Sequence, residues 1–124
     1  MDGQQTSGES ADTDVQRRAD CCTVGHSLSK DALAADVETL ATLGNDTRYE
    51  ALRLIAESAD AVCVCELEPV LGVSQGAVSQ ALSRLFSAGL VERRKEGRWR
   101  YYTATDRAER LVTVLDETRG ARDD

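Results

Sequence analysis

Aromatic residues are nearly missing from this chain: Phe86, Trp99, Tyr49, Tyr101 and Tyr102 are all it has. A core must therefore be assembled from Leu, Val, Ile and Ala. At 124 residues it is a thin core, with room for a single domain. Such a core gains from burying apolar surface against a partner, so an oligomer is expected. No stretch approaches the ~20 consecutive apolar residues of a membrane span, and the N-terminus lacks the apolar core of a secretory leader. The expected location is the cytoplasm, with no membrane partner. Structural disulfides are rare there, so the four cysteines require another role. The single histidine, His26, lies in a polar N-terminal stretch. With no Cys/His pair and no phosphate-cradling loop, enzymatic chemistry is not expected.

Lysine is as scarce as the aromatics, with only Lys30 and Lys95, so arginine supplies nearly all the positive charge. Carboxylates are abundant, a composition suited to staying hydrated in concentrated salt. The formal net charge of −7 looks wrong for a nucleic-acid binder, but it is unevenly spread. From Arg84 to Arg100, six cations (Arg84, Arg93, Arg94, Lys95, Arg98, Arg100) face two carboxylates (Glu92, Glu96). That window carries +4 and leaves −11 to the remainder. A basic patch on an acidic body is compatible with DNA.

Residues 1–28 are rich in Gly, Ser, Thr, Gln and Asp, show no apolar periodicity and read as a flexible tail carrying Cys21 and Cys22. Residues 29–118 read as one ordered domain and 119–124 as a frayed end. Within the domain, Leu33, Val37, Leu40 and Ala41 recur at helical spacing up to Gly44. Asn45 or Asp46 caps a second helix with Tyr49, Leu52, Ile55 and Ala56 facing inward. A β-prone stretch, Ala61 to Val64, precedes a short helix from about Glu66 to Leu71, with Pro69 expected in its first turn. Gly72-Val73-Ser74 forms a turn ending in a good N-cap, and a longer helix runs to Ala88. Leu90 to Lys95 and Arg98 to Thr103 are strand-like, joined at Glu96-Gly97. Asp106 caps a last helix with Ala108, Leu111, Val112, Leu115 and Thr118 on one face. The fold class is mainly α with a small β-hairpin: a dimeric winged helix-turn-helix, without internal repeats.

A short helix, a glycine turn and a longer helix make a helix-turn-helix, whose second helix enters the major groove of double-stranded DNA. On that helix Val78, Ala81, Leu82 and Leu85 share one side. Ser74, Gln75, Gly76, Ser79, Gln80 and Ser83 form a polar, uncharged, short-chained outer face, with Arg84 beside it. The hairpin that follows carries Arg93, Arg94, Lys95, Arg98 and Arg100, a basic wing for phosphates or the minor groove. An ordinary solvated helix face and charge run is the bland alternative.

Five segments in this order resemble the ArsR/SmtB family of metal-responsive repressors over roughly Lys30 to Thr118. They are Leu43 to Leu52, Cys63-Val64-Cys65-Glu66-Leu67, Val73 to Leu82, Ala88-Gly89-Leu90-Val91, and Arg94 to Tyr102. The resemblance implies a homodimer formed by the first and last helices. It also implies binding to a two-fold operator as the metal-free form, no cofactor required for DNA binding, and release on metal binding. Thr47 stands where many relatives have proline, a change expected to matter little.

Cys63 and Cys65 lie at the entrance to the first helix of the DNA-binding motif. In a regular helix, positions i and i+2 point about 200° apart, so sharing one ion needs an irregular helix start or local unwinding. Thiolates select soft ions such as Cu(I), Cd(II), Zn(II) and, by the same softness, As(III). The resemblance makes this pair the sensor and As(III) or Sb(III) the inducer. Arsenite-responsive relatives often have a third cysteine shortly after the pair, where this chain reads Glu66-Leu67-Glu68. Cys21 and Cys22, in the same chain or the partner, are the candidate additional ligands, and some of the relatives that combine N-terminal cysteines with the pair answer Cd(II), Pb(II) or Zn(II). A thiol-redox signal, a thiol metal-buffering protein and plain burial of Cys63 and Cys65 are the other readings. His26 reads as a linker residue. The last helix has acids (Asp106, Glu109, Asp116, Glu117) but no histidine, so a zinc site there is not expected.

Overall fold

Residues 22–120 are described by the computed structural model of the chain. Among them are five α-helices: α1 (Lys30–Leu43), α2 (Asp46–Ala56), α3 (Val64–Leu71), α4 (Gln75–Ser87) and α5 (Asp106–Arg119). Three short strands accompany them: β1 (Val62–Cys63), β2 (Val91–Glu96) and β3 (Trp99–Ala104). The order is that expected from the sequence, but α5 is capped by Thr105, whose hydroxyl accepts the Ala108 N–H at 3.2 Å, and Asp106 is its first helical residue. Two further details differ for physical reasons.

First, α3 begins at Val64 rather than near Glu66, because Cys63 serves as its N-cap in an extended conformation (φ −90, ψ 151). The Glu66 carboxylate reaches back to accept the Cys63 backbone N–H at 2.9 Å, completing a capping box. Pro69 is therefore the sixth helical residue, not part of the first turn. It has no N–H to offer the Cys65 carbonyl, so this helix start lacks one of its ladder bonds. Second, β1 pairs with β3 (Val62 with Tyr102, Cys63 with Tyr101), giving a three-stranded antiparallel sheet in the order β1-β3-β2. Glu96 pairs with Trp99, which puts the wing turn at Gly97-Arg98, one residue later than the spacing suggests. Gly97 sits there at φ +64, a conformation that disfavours any side chain.

The core collects Leu52, Ile55, Leu67, Val78, Leu82, Leu85, Leu90, Val91, Tyr102 and Val112. Asn45 caps α2 by accepting the Arg48 N–H at 3.0 Å, and Ser74 caps α4 by accepting the Ala77 N–H at 3.1 Å. Arg48 in turn donates to the Thr42 and Ala41 carbonyls at 2.7 and 3.3 Å, closing the C-terminal end of α1. Leu82 has no exposed surface and joins α4 to the rest of this core. Leu82→Ala should cost about 2–5 kcal/mol, seen as a lower urea midpoint at unchanged slope.

The apolar stripe of α1 does not join the core of the single chain. Leu33, Val37 and Leu40 are 44%, 56% and 68% exposed in the single chain, while Thr39 and Thr42 are the buried residues of that helix. Thr39 is held by Arg107 of α5, whose guanidinium donates to its hydroxyl at 2.9 Å. On α5, Ala108 and Val112 point inward, but Val114 and Leu115 remain exposed. Among the described residues, no helix is long and apolar enough to cross a membrane.

Candidate nucleic-acid interface and thiol site

The amphipathic pattern of α4 is realised residue by residue. Val78, Ala81, Leu82 and Leu85 are buried, and Ser74, Gln75, Gly76, Ser79, Gln80, Ser83 and Arg84 are exposed. Two clefts flank the exposed face. One, of about 390 Å³, lies against the start of α2 and is lined by Asn45, Thr47, Gln80, Ser83 and Arg84 among others. Thr47 and Asn45 were not legible as neighbours of this face, since only the packing of α2 on α4 brings them there. The second cleft, of about 340 Å³, lies between α3, α4 and the wing. It is lined by Cys63, Val64, Cys65, Gln75, Ser79, Lys95, Arg98, Trp99 and Arg100.

Strand alternation sorts the wing cations. Lys95 and Arg100 are register partners and line the second cleft together with Arg98 at the turn. Arg93 stacks over the Phe86 ring at 4.0 Å, bracing the wing on α4. Arg94, one residue on, falls on the other side of the strand. It pairs with Glu96 at 2.9 Å and lies 5.7 Å from the centre of the Tyr101 ring. That pair is more than half exposed, so it contributes little stability.

The thiols meet because the helix start is irregular. Cys63 stands outside α3 as its cap, so the 200° separation of i and i+2 does not apply, and the two sulfurs lie 2.9 Å apart. Cys65 Sγ donates to Cys63 Sγ, which also accepts the Cys65 backbone N–H at 3.4 Å. Cys63 is 4% exposed, whereas Cys65 opens to the cleft. The hydrogen bond to Cys63, aided by desolvation, raises the Cys65 thiol above its ordinary value. The fold thus favours the protonated Cys65 thiol. That preference is fully present at neutral pH and is lost as pH climbs past the raised value.

Of the remaining candidates, Cys21 lies outside the described residues, while Cys22 is described and exposed. His26 Nδ1 accepts the Leu28 N–H at 3.1 Å, within the segment preceding α1. On α5, Asp116 is tied to Arg53 at 2.8 Å and Arg119 at 3.0 Å. Those two guanidinium groups, Arg53 foremost, hold its carboxyl below the usual carboxylate range. Asp116 is therefore a strut between α2 and α5. No group of three or more His, Cys, Asp or Glu side chains placed to hold an ion occurs among the described residues.

The family model described as "Bacterial regulatory protein, arsR family" matches residues 45–93, from the N-cap of α2 into the first wing strand. The chain is 58% identical over 100 residues to a Halobacterium salinarum protein named as an arsenical resistance operon repressor, ArsR2. That match spans 81% of this chain and 84% of the relative. A second protein of that organism, named as an arsenical resistance operon repressor, ArsR, is 47% identical over 88 residues (71% of this chain, 68% of the relative). Among solved structures, the homodimeric winged helix-turn-helix DNA-binding domain Mb0332 from Mycobacterium bovis superposes with a TM-score of 0.69 at 27% identity. It covers 82% of this chain, and the match takes in 94% of that domain. With this helix and strand order, and with identity sustained over most of its length, the chain belongs to the arsR family of bacterial regulatory proteins.

Proposed function

We propose that the chain is a cytoplasmic homodimeric repressor that binds double-stranded operator DNA through α4 and the wing, and lets go when Cys63 and Cys65 take up As(III) or Sb(III). The observation that carries this reading is the shared cleft: the thiols, Gln75 and Ser79 of α4, and Lys95, Arg98 and Arg100 of the wing line one space. The polar face of α4 supplies base-edge contacts, and the wing cations supply phosphate contacts that set register. The relatives' names, which speak of arsenical resistance operons, favour a metalloid signal.

The coupling needs no long path. Cys63 ends β1, which is hydrogen-bonded to wing strand β3, and it caps α3, which packs on α4. Loading the sulfurs replaces their hydrogen bonds and shifts this cap, and both DNA-contacting elements rest on it. The α3 start, already without the residue-69 donor, yields easily.

A gel-shift titration on a fragment of the chain's own promoter tests the proposal. The protein should retard the fragment, increasingly so as salt is lowered, and arsenite or antimonite should release it. No retardation, or release by peroxide but not arsenite, would refute it.

A further inference from the structure

We propose that the second cleft completes the coordination of a bound metalloid with oxygen rather than a third sulfur: Cys63 and Cys65 supply two sulfurs, and the Lys95, Arg98 and Arg100 rim holds the oxygen that remains. The inference rests on the proposed function and deepens it by naming the class of ligand the site selects, a neutral hydroxo-metalloid over a soft divalent cation.

Three observations support it. The two sulfurs converge at 2.9 Å on one side of the α3 start, so a chelate needs only the Cys63 cap to shift. The cleft lining holds three cations and no carboxylate, while Glu66, whose charge reaches Cys65 from outside that lining, accepts the Cys63 N–H at 2.9 Å. Among the described residues, no third Cys, His, Asp or Glu joins the pair to make an ion cage. A cationic lining repels an incoming divalent ion and attracts the electron-rich oxygen of a hydroxo ligand. A divalent soft ion also seeks about four N, S or O donors, of which the cleft offers two sulfurs. Trivalent arsenic or antimony needs only three bonds.

The reaction balances without oxidant or reductant. Arsenous acid, As(OH)3, exchanges two hydroxyls for two thiols. Two As–S bonds form and two As–O bonds break, and each thiol proton leaves with a departing hydroxyl as water. One As–OH remains, with its oxygen towards the Arg98 and Arg100 guanidinium groups. A divalent cation would instead release both thiol protons to solvent, which ties its uptake to pH.

Trp99, the only tryptophan, lines the cleft and reports occupancy by its emission without DNA present. Arsenite and Cd(II) are each titrated into the full DNA-free chain and into Arg98→Gln/Arg100→Gln. In parallel, X-ray absorption at the arsenic edge counts sulfur and oxygen neighbours in the unmodified chain. The expected result is two sulfurs and one oxygen, with arsenite binding about tenfold weaker in the double variant and Cd(II) binding tighter. Both substitutions fall on exposed wing residues, and the absorption measurement needs no variant. A three-sulfur shell, or arsenite and Cd(II) affinities unchanged by the double substitution, would overturn the inference. Arsenite bound in the two-sulfur shell that fails to release DNA would support it while refuting the proposed signal. No arsenite uptake at all would refute both.

Discussion

Replacing Cys63 and Cys65 together by serine is expected to leave a repressor that grips its operator but ignores arsenite. The choice of serine matters. Cys63 caps α3, and serine is a better cap than cysteine, so its hydroxyl can accept the Cys65 N–H where the sulfur now does at 3.4 Å. The Glu66 half of the capping box stays in place, since its partner is the residue-63 backbone. Stability should therefore change by under about 1 kcal/mol, whereas Cys63→Ala should lose about that much through the missing cap. Operator affinity in the absence of inducer should stay within about twofold, because neither sulfur belongs to the exposed face of α4. The arsenite concentration for half-release should rise by about 100-fold or more. Either single serine variant should come close to the double one, since the second sulfur binds as the arm of a chelate whose effective concentration is fixed by the fold. Arsenite titrations of fluorescently labelled operator would measure all of these. An unchanged half-release concentration in the double variant would move the sensor away from α3 altogether.

How far the sequence can be read depends on whether a feature is local. The polar and apolar sides of α4 follow from a 100° rotation per residue, and Val78, Ala81, Leu82 and Leu85 are buried as that rotation demands. The Ser74 cap and the order of elements are equally local. The site proper was legible only in its ingredients. Cys63 as an N-cap was missed because caps are sought among Ser, Thr, Asp and Asn, although Glu66 three residues later is the other half of a capping box. Seeing that box would have placed the helix start at Val64 and the two sulfurs together. The two-residue strand β1 has no periodicity of its own, and its pairing with β3 is a tertiary event. So is the meeting of the thiols with Lys95, Arg98 and Arg100, which are some thirty residues or more away along the chain. The α1 stripe shows the opposite limit. Its helical spacing is correct, but periodicity reports only that a face is apolar, not whether it meets its own core or another molecule.

That stripe carries the second large expectation: charge placed on it should abolish operator binding without unfolding the chain. Leu33, Val37 and Leu40 of α1, with Val114 and Leu115 of α5, are too many exposed aliphatic side chains to be scattered surface residues. We propose that a second copy covers them, as the named homodimeric domain of similar fold suggests. In a two-fold dimer each contact occurs twice, and burying a Leu or Val contributes about 1.5–3 kcal/mol, so these few residues suffice for stable association. Val37→Asp/Leu40→Asp would put four carboxylates at that interface and strand each in an apolar setting. Light scattering should then report a monomer. Its helical content should match the parent, because both positions are more than half exposed in the single chain. A monomer reads one half-site and loses the gain from the second, so operator affinity should fall by at least about 100-fold towards the non-specific range. Arsenite uptake by Cys63 and Cys65 should survive, since the cleft is lined by residues of one chain. Loss of DNA binding with metalloid binding kept would separate the assembling surface from the sensing one. A variant that stays dimeric would show that α1 is not the surface through which the two copies meet.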